Sequence, residues 1–243
     1  MERIGDLSGA EQQYLKAASM DHSAAPERLI SLYLKQKRLA DAESWLRKYL
    51  EKNPQNISAQ AQLGKVLAAE GKMQEAIASL ETISKTSADP AVTRALAGLY
   101  LDNKQYKEAS PLFQQLVQKT PNDAELHWNY GEALLHQHNY SEAEAELIKA
   151  LQLNPKLADA YWELAYAADQ NKHYQLAIRA LDARAQLLPE TAATYWLRAT
   201  SYDNLRAYKP AAENYKLFLG ASGGKSPDQE FQARHRLKAI EPK

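Results

Sequence analysis

Apolar residues along this chain recur at helical spacing in short blocks, and the blocks come in pairs separated by a few polar residues. Tyr161, Leu164, Ala165 and Ala168 form one stripe, the polar run 170–173 interrupts it, and Ala177, Ile178 and Leu181 form the next. This pattern predicts two amphipathic helices joined by a tight turn. The pair repeats. Ala42, Ala76, Ala109, Ala143, Ala177 and Ala211 stand at intervals of 34, 33, 34, 34 and 34 residues. Three residues before each alanine come Leu39, Met73, Tyr106, Tyr140, Tyr174 and Tyr208, and four residues after come Leu46, Leu80, Phe113, Leu147, Leu181 and Tyr215. A small residue at a fixed register lets two helices cross closely, and a large side chain at Ala143 or Ala177 would overpack the crossing by about 1–3 kcal/mol. Pro54, Pro121, Pro155 and Pro189 then stop the second helix of four pairs, because proline cannot donate to the preceding turn.

These residues resemble the tetratricopeptide repeat, whose pattern is an aromatic, leucine–glycine, an aromatic, alanine, a large apolar residue and proline over about 34 residues. In one unit the pattern reads His127, Tyr130–Gly131, Leu134, Ala143, Leu147 and Pro155; in another, Thr93, Leu96–Ala97, Tyr100, Ala109, Phe113 and Pro121. Six units are delimited in this way, 23–56, 57–89, 90–123, 124–157, 158–191 and 192–225. Departures are few: Leu29–Ile30 replaces leucine–glycine in unit one, unit two is one residue short, and Arg198 replaces leucine in unit six, which also lacks the closing proline. The resemblance implies an all-α, right-handed superhelical solenoid of antiparallel helix pairs forming one continuous domain. Residues 1–22 and 226–243 are expected to be capping segments, since a stack needs polar-backed ends. Ser8–Glu11 fits a capping box opening a helix from about Gly9 to Met20. Ser226–Pro227 opens a last helix, with Phe231, Leu237 and Ile240 expected on one face.

Composition narrows the function without naming it. Thirty basic residues balance thirty acidic ones, which gives no reason to expect nucleic acid or an anionic membrane as partner. No cysteine is present, which removes disulfides, thiolate metal sites and cysteine nucleophiles. No apolar run approaches the roughly 18 residues of a membrane span, and the first residues carry no signal-peptide pattern. The expectation is a soluble protein, cytoplasmic by default, or periplasmic or secreted had a leader been removed. Gly220–Ser226 is one residue too short for a phosphate-binding loop and follows a helix where that motif follows a strand. His136 and His138 have metal-pair spacing but no further ligand in register. The chain is read as a non-enzyme with no cofactor and no metal.

Trp128, Trp162 and Trp196 are spaced by 34 residues and share repeat position 5. The resemblance implies that positions 2, 5, 9, 12 and 13 of each first helix face a concave groove. In units four to six those positions hold Glu125, Glu132, Asp159, Asp169 and Asp203 with Tyr166, Gln170, Thr200, Asn204, Leu135 and His136, and no lysine or arginine. Units one to three contribute Lys35, Lys65 and Arg94 against Glu27 and Asp102, with small residues such as Ala61 and Gly98. A partner peptide or helix that interleaves basic and apolar residues matches this lining through cation–π contact and charge pairing. A packing role for the tryptophans, as a stiffening ladder, stands beside it. The clamp that grips chaperone tails is absent, since Glu27, Ser31, Ala61 and Lys65 occupy its places. The expected function is a monomeric protein-interaction scaffold. The alternative is a self-associating scaffold whose groove is filled by its own C-terminal segment or a second copy.

Overall fold

The computed structural model of the chain describes residues 7–20, 24–85 and 89–240. Residues 1–6 and 21–22 of the N-terminal segment, the start of unit one at 23, residues 86–88 of unit two and the last three residues lie outside them. Among the described residues there are fourteen helices and no strand. They divide into two compact units, Met1–Leu112 and Phe113–Lys243.

The first unit holds α1 (Leu7–Ser19), α2 (Ala25–Lys35), α3 (Leu39–Lys52), α4 (Ile57–Ala69), α5 (Met73–Ser84), α6 (Pro90–Asp102) and the opening of α7 (Tyr106–Lys119). Each helix packs on the next from α1 to α6, and α4 also packs directly on α6. The second unit holds the rest of α7, then α8 (Ala124–His136), α9 (Tyr140–Leu153), α10 (Ala158–Gln170), α11 (Tyr174–Ala185), α12 (Ala192–Asn204), α13 (Tyr208–Ser222) and α14 (Pro227–Ile240). Again each helix from α8 onward packs on its successor, while α10 touches both α8 and α12. In each unit, then, first helices lie against first helices.

The periodic residues are the core. All six register alanines are fully buried, and Leu46, Leu80, Leu147 and Leu181 are buried with them. The residues three before the alanines, Leu39 through Tyr208, each begin a second helix. Two residues before that start, the chain bends through the left-handed region at Lys37, Gly71, Lys104, His138, Lys172 and Arg206, with φ between +56° and +81°. That bend reverses the chain within three residues, and only one of the six positions uses glycine, the residue that adopts it at least cost. Asn56, Asp89, Asp123 and Thr191 cap first helices by accepting from backbone N–H groups.

Where the pattern departs from apolar, partners compensate. His127, buried at the aromatic position, has Nδ1 2.6 Å from Glu146 and Nε2 3.0 Å from the Pro121 carbonyl. Arg198, buried in place of leucine, is ion-paired with Glu190 at 2.6 Å and with Asp182 at 3.2 Å. Two end readings need correction. Helix α1 already includes Leu7, so Ser8 lies inside it and not at its N-cap. On α14, Leu237 and Ile240 pack with buried Ala233 against Tyr215 and Phe218, but Phe231 is 71% exposed. Residues 233, 237 and 240 follow i, i+4, i+7, whereas 231 lies six residues from 237 and so on another face.

Candidate functional site

Helices α8, α10 and α12 hold six carboxylates, Glu125, Glu132, Asp159, Glu163, Asp169 and Asp203. Their one lysine or arginine is Arg198, buried and occupied with Glu190 and Asp182. A helix layer with charges of one sign focuses potential outward and selects cations.

The tryptophans are half-buried at all three steps. They do not share one environment. Trp128 donates its indole Nε1–H to Glu163 Oε2 at 3.0 Å, tying α8 to α10. Trp196 leans on its own second helix, with its ring 5.8 Å from Tyr215 and 5.1 Å from Phe218, so the innermost contacts of this ring are packing contacts. Trp162 lies between them on α10. Tyr166, 39% exposed, meets Tyr140 edge-on at 6.4 Å, and Tyr140 in turn meets His138. His138 sits in its left-handed turn with Nδ1 2.7 Å from the Tyr140 hydroxyl. Among the described residues no group of three histidines or carboxylates could hold a metal ion.

The carboxylates differ as sharply. Glu125 and Asp159 are exposed, and Glu132 is half-buried. Asp169 accepts from the buried Ser201 hydroxyl at 3.0 Å, and burial pushes its carboxyl above the ordinary range. Asp203 is taken by Arg236 of α14 through two bonds of 2.5 and 2.8 Å, with the Tyr215 hydroxyl donating at 3.2 Å and the Tyr208 ring 5.8 Å from the guanidinium. Asn204, exposed, donates to the Thr200 carbonyl at 3.0 Å.

Glu163 was not among the groove residues expected from position. It stands at repeat position 6, beside Trp162, yet its carboxyl reaches the Trp128 indole and the fields of Glu132 and Asp159. Burial, then Glu132, then Asp159 push its pKa up to about 8, against the opposing pull of the Trp128 N–H. Desolvation alone raises a buried carboxyl's pKa, and the like charges of Glu132 and Asp159 add to it here. The sequence signal is slight: an acid directly after a register tryptophan, one place beyond a position expected to face the groove.

In the first unit the expected positions also come together, in two depressions. Glu27, Ser31 and Lys35 line one with Tyr49, Ser58 and Gln62, the last again a position-6 residue. Lys65, Arg94, Gly98 and Asp102 line the other with Met73 and Leu99. Trp45, the fourth tryptophan, lies on the second helix α3 with Lys48 Nζ 4.9 Å over its ring. The glycine-rich turn after α13 is filled from within: Glu230 accepts from Ser222 Oγ at 2.7 Å and from the Gly224 N–H at 2.9 Å. A carboxylate thus sits where a phosphate loop would need an anion from outside. No helix among the described residues is long and apolar enough to cross a membrane.

Comparison with known proteins bears on the whole arrangement. One family model described as tetratricopeptide repeat matches residues 33–99 and 100–149, and a second of the same description matches 2–57 and 137–193. No curated protein matches the chain by sequence. Among solved structures, a tetratricopeptide repeat protein from Parabacteroides merdae is similar at TM-score 0.62 and 20% identity, covering 89% of this chain and 93% of that one. MamA from Desulfovibrio magneticus is similar at TM-score 0.63 and 19% identity, covering 67% of this chain and 92% of that one. A further MamA structure gives 0.60 and 21%, covering 68% and 97%. At such identities the likeness shows the fold, a solenoid of antiparallel helix pairs. Proteins with this repeat are in general protein-interaction scaffolds and typically not enzymes. With its buried alanine register, its repeated turn and these matches, the chain belongs to the tetratricopeptide repeat family.

Proposed function

We propose that the face built by α8, α10 and α12 binds a partner protein through a segment that interleaves arginine or lysine with apolar residues. The observation that carries this reading is the charge asymmetry: six carboxyl groups on three adjacent helices, of which Asp203 is taken by Arg236, against one lysine or arginine, Arg198, which is buried and paired. The half-buried tryptophans add flat apolar surface beside those carboxylates, which suits cations on aromatic rings as well as apolar side chains. Trp162 is the expected centre, flanked by a tryptophan step on either side. Glu125, Glu132, Asp159, Asp169, Tyr166 and Asn204 form its surroundings, and Lys65 and Arg94 belong to a separate, less acidic surface of the first unit. Residues 23–225 act in this reading as six repeat units, with α1 and α14 as caps, in a monomer.

The test uses the Trp45→Phe background, so that emission reports only Trp128, Trp162 and Trp196. A blocked peptide alternating arginine and leucine should change that emission, and should bind less tightly as salt rises. Trp162→Ala should cost at least about 2 kcal/mol of affinity with helix content retained. A lowered melting temperature with binding spared would assign the tryptophans to packing instead.

One observation favours the alternative that the chain supplies its own ligand. Arg236 of α14 already occupies Asp203, with Tyr208 beside it. In that reading removal of residues 226–243 strengthens peptide binding at the α12 end, whereas in the first reading it leaves affinity at Trp162 unchanged.

A further inference from the structure

We propose that uptake of a cationic segment on the α8–α10–α12 face is coupled to release of the proton held by Glu163, so that the face engages its partner more tightly as pH rises through neutrality. This regulation rests on the reading that the face binds a basic segment. Its starting point is geometric. The Glu163 side chain is half-buried between two first helices, one oxygen accepts from the Trp128 indole, and the charges that act on it, Glu132 from α8 and Asp159 from its own helix, share its sign. A carboxyl in that setting holds its proton, and its pKa of about 8 puts the change inside the physiological range.

Of the other charged groups on the helices packed around α10, several are engaged elsewhere, and Glu125 of α8, Glu142 and Lys149 of α9 and Arg179 of α11 are not among the groups that act on Glu163. On α9, Glu144 is bonded to Asn171 and His173, and Glu146 to His127. On α11, Asp182 pairs with Arg198, and Arg184 donates to the Pro189 carbonyl. On α12, Arg198 and Asp203 have the partners already described. Asp169 on α10 itself holds Ser201.

A guanidinium arriving beside Glu163 brings an opposite charge, which none of the groups acting on that carboxyl provides, and favours the ionised form of Glu163. Proton and guanidinium then compete for one carboxylate. By reciprocity, whatever the cation does to the proton's affinity the proton does to the cation's. Below the midpoint each peptide bound releases about one proton, and affinity changes by about tenfold per pH unit.

The experiment uses the full chain and the blocked arginine–leucine peptide, whose guanidinium groups do not titrate in the range. Affinity is measured from pH 6 to 9 at constant ionic strength. Calorimetry in two buffers of different ionisation enthalpy counts protons released at pH 7. Wild type should gain roughly tenfold in affinity between pH 6 and 7 and level off above the Glu163 midpoint. Glu163→Gln, with helix content checked by circular dichroism, should lose the slope and the proton release. Glu132→Gln, which keeps Glu163 but removes one like charge, should move the rise to lower pH. Binding that is flat with pH in wild type overturns the coupling and leaves the binding face standing. A slope that survives in Glu163→Gln, or stays in place in Glu132→Gln, assigns it to another group and overturns the proposal. No binding at any pH overturns the face and the coupling together.

Discussion

At Glu163, burial and neighbouring charge act in the same direction, and that has a consequence for stability that needs no partner. The folded protein keeps a proton up to about pH 8, while the unfolded chain releases it around 4.5. Between those values the unfolded state binds fewer protons, so stability from this group is present below pH 4.5 and falls as pH rises toward 8. Glu163→Gln removes the titration and keeps an acceptor for the Trp128 N–H. Relative to wild type, the variant should gain about 2.5 kcal/mol between pH 5 and pH 7, from about 1.4 kcal/mol per unit. Urea denaturation at the two pH values checks this; parallel losses in both proteins would remove Glu163 from the account. Repeat position 6 is not among those expected to face the groove, and Glu163 gains its setting only from the preceding first helix. Its neighbours Trp128 and Glu132 lie 35 and 31 residues earlier in the chain.

At the scale of the helix pair, the crossing between first and second helices explains the leucine–glycine step of the repeat. A Cβ added at Gly131 would lie 2.7 Å from Leu147 Cγ, and one at Gly64 would lie 3.0 Å from Leu80. The buried apolar residue four after the register alanine therefore seats directly on the glycine. Ala165, fully buried, takes the corresponding place in α10, so the crossings are not identical. Gly131→Ala should destabilise the second unit by about 1–3 kcal/mol, because the displaced atom is the branch point of a buried leucine with little room to move. A denaturation midpoint equal to wild type would show that this crossing can open. Helix propensity works the other way, favouring alanine by about 1 kcal/mol, and the clash is the larger effect.

Across the whole molecule, the last helix carries the clearest consequence. Ala233, Leu237 and Ile240 of α14 cover Tyr215 and Phe218, and Arg236 covers the Asp203 carboxylate. Deleting residues 226–243 would uncover that apolar cluster and leave Asp203 with the Tyr215 hydroxyl alone. The truncated chain should lose about 2–4 kcal/mol or aggregate, as a stack does without its end. Thermal melts and light scattering decide it; an unchanged melt would mean α14 is an appendage.

Much of this protein is local and therefore legible in one dimension. A small residue every 34 positions, the large apolar residue four after it and the turn between determined the helix pairs, because each unit contacts mainly its neighbours and repeats one set of contacts. The three tryptophans share one register, and five of the six carboxylates on α8, α10 and α12 could be named from register together with the positions that the family resemblance implies. What register could not settle is how each side chain spends itself once the helices are packed. Trp128 gives its N–H to Glu163, Trp196 turns to Phe218, Asp203 is claimed by α14, and Phe231 faces outward although its helix is amphipathic. These outcomes depend on burial and on partners about 20 to 35 residues away, and hydrogen bonding and desolvation act on distances in space. The period of the sequence places residues on a face; only the packed helices decide which of them keep their charge.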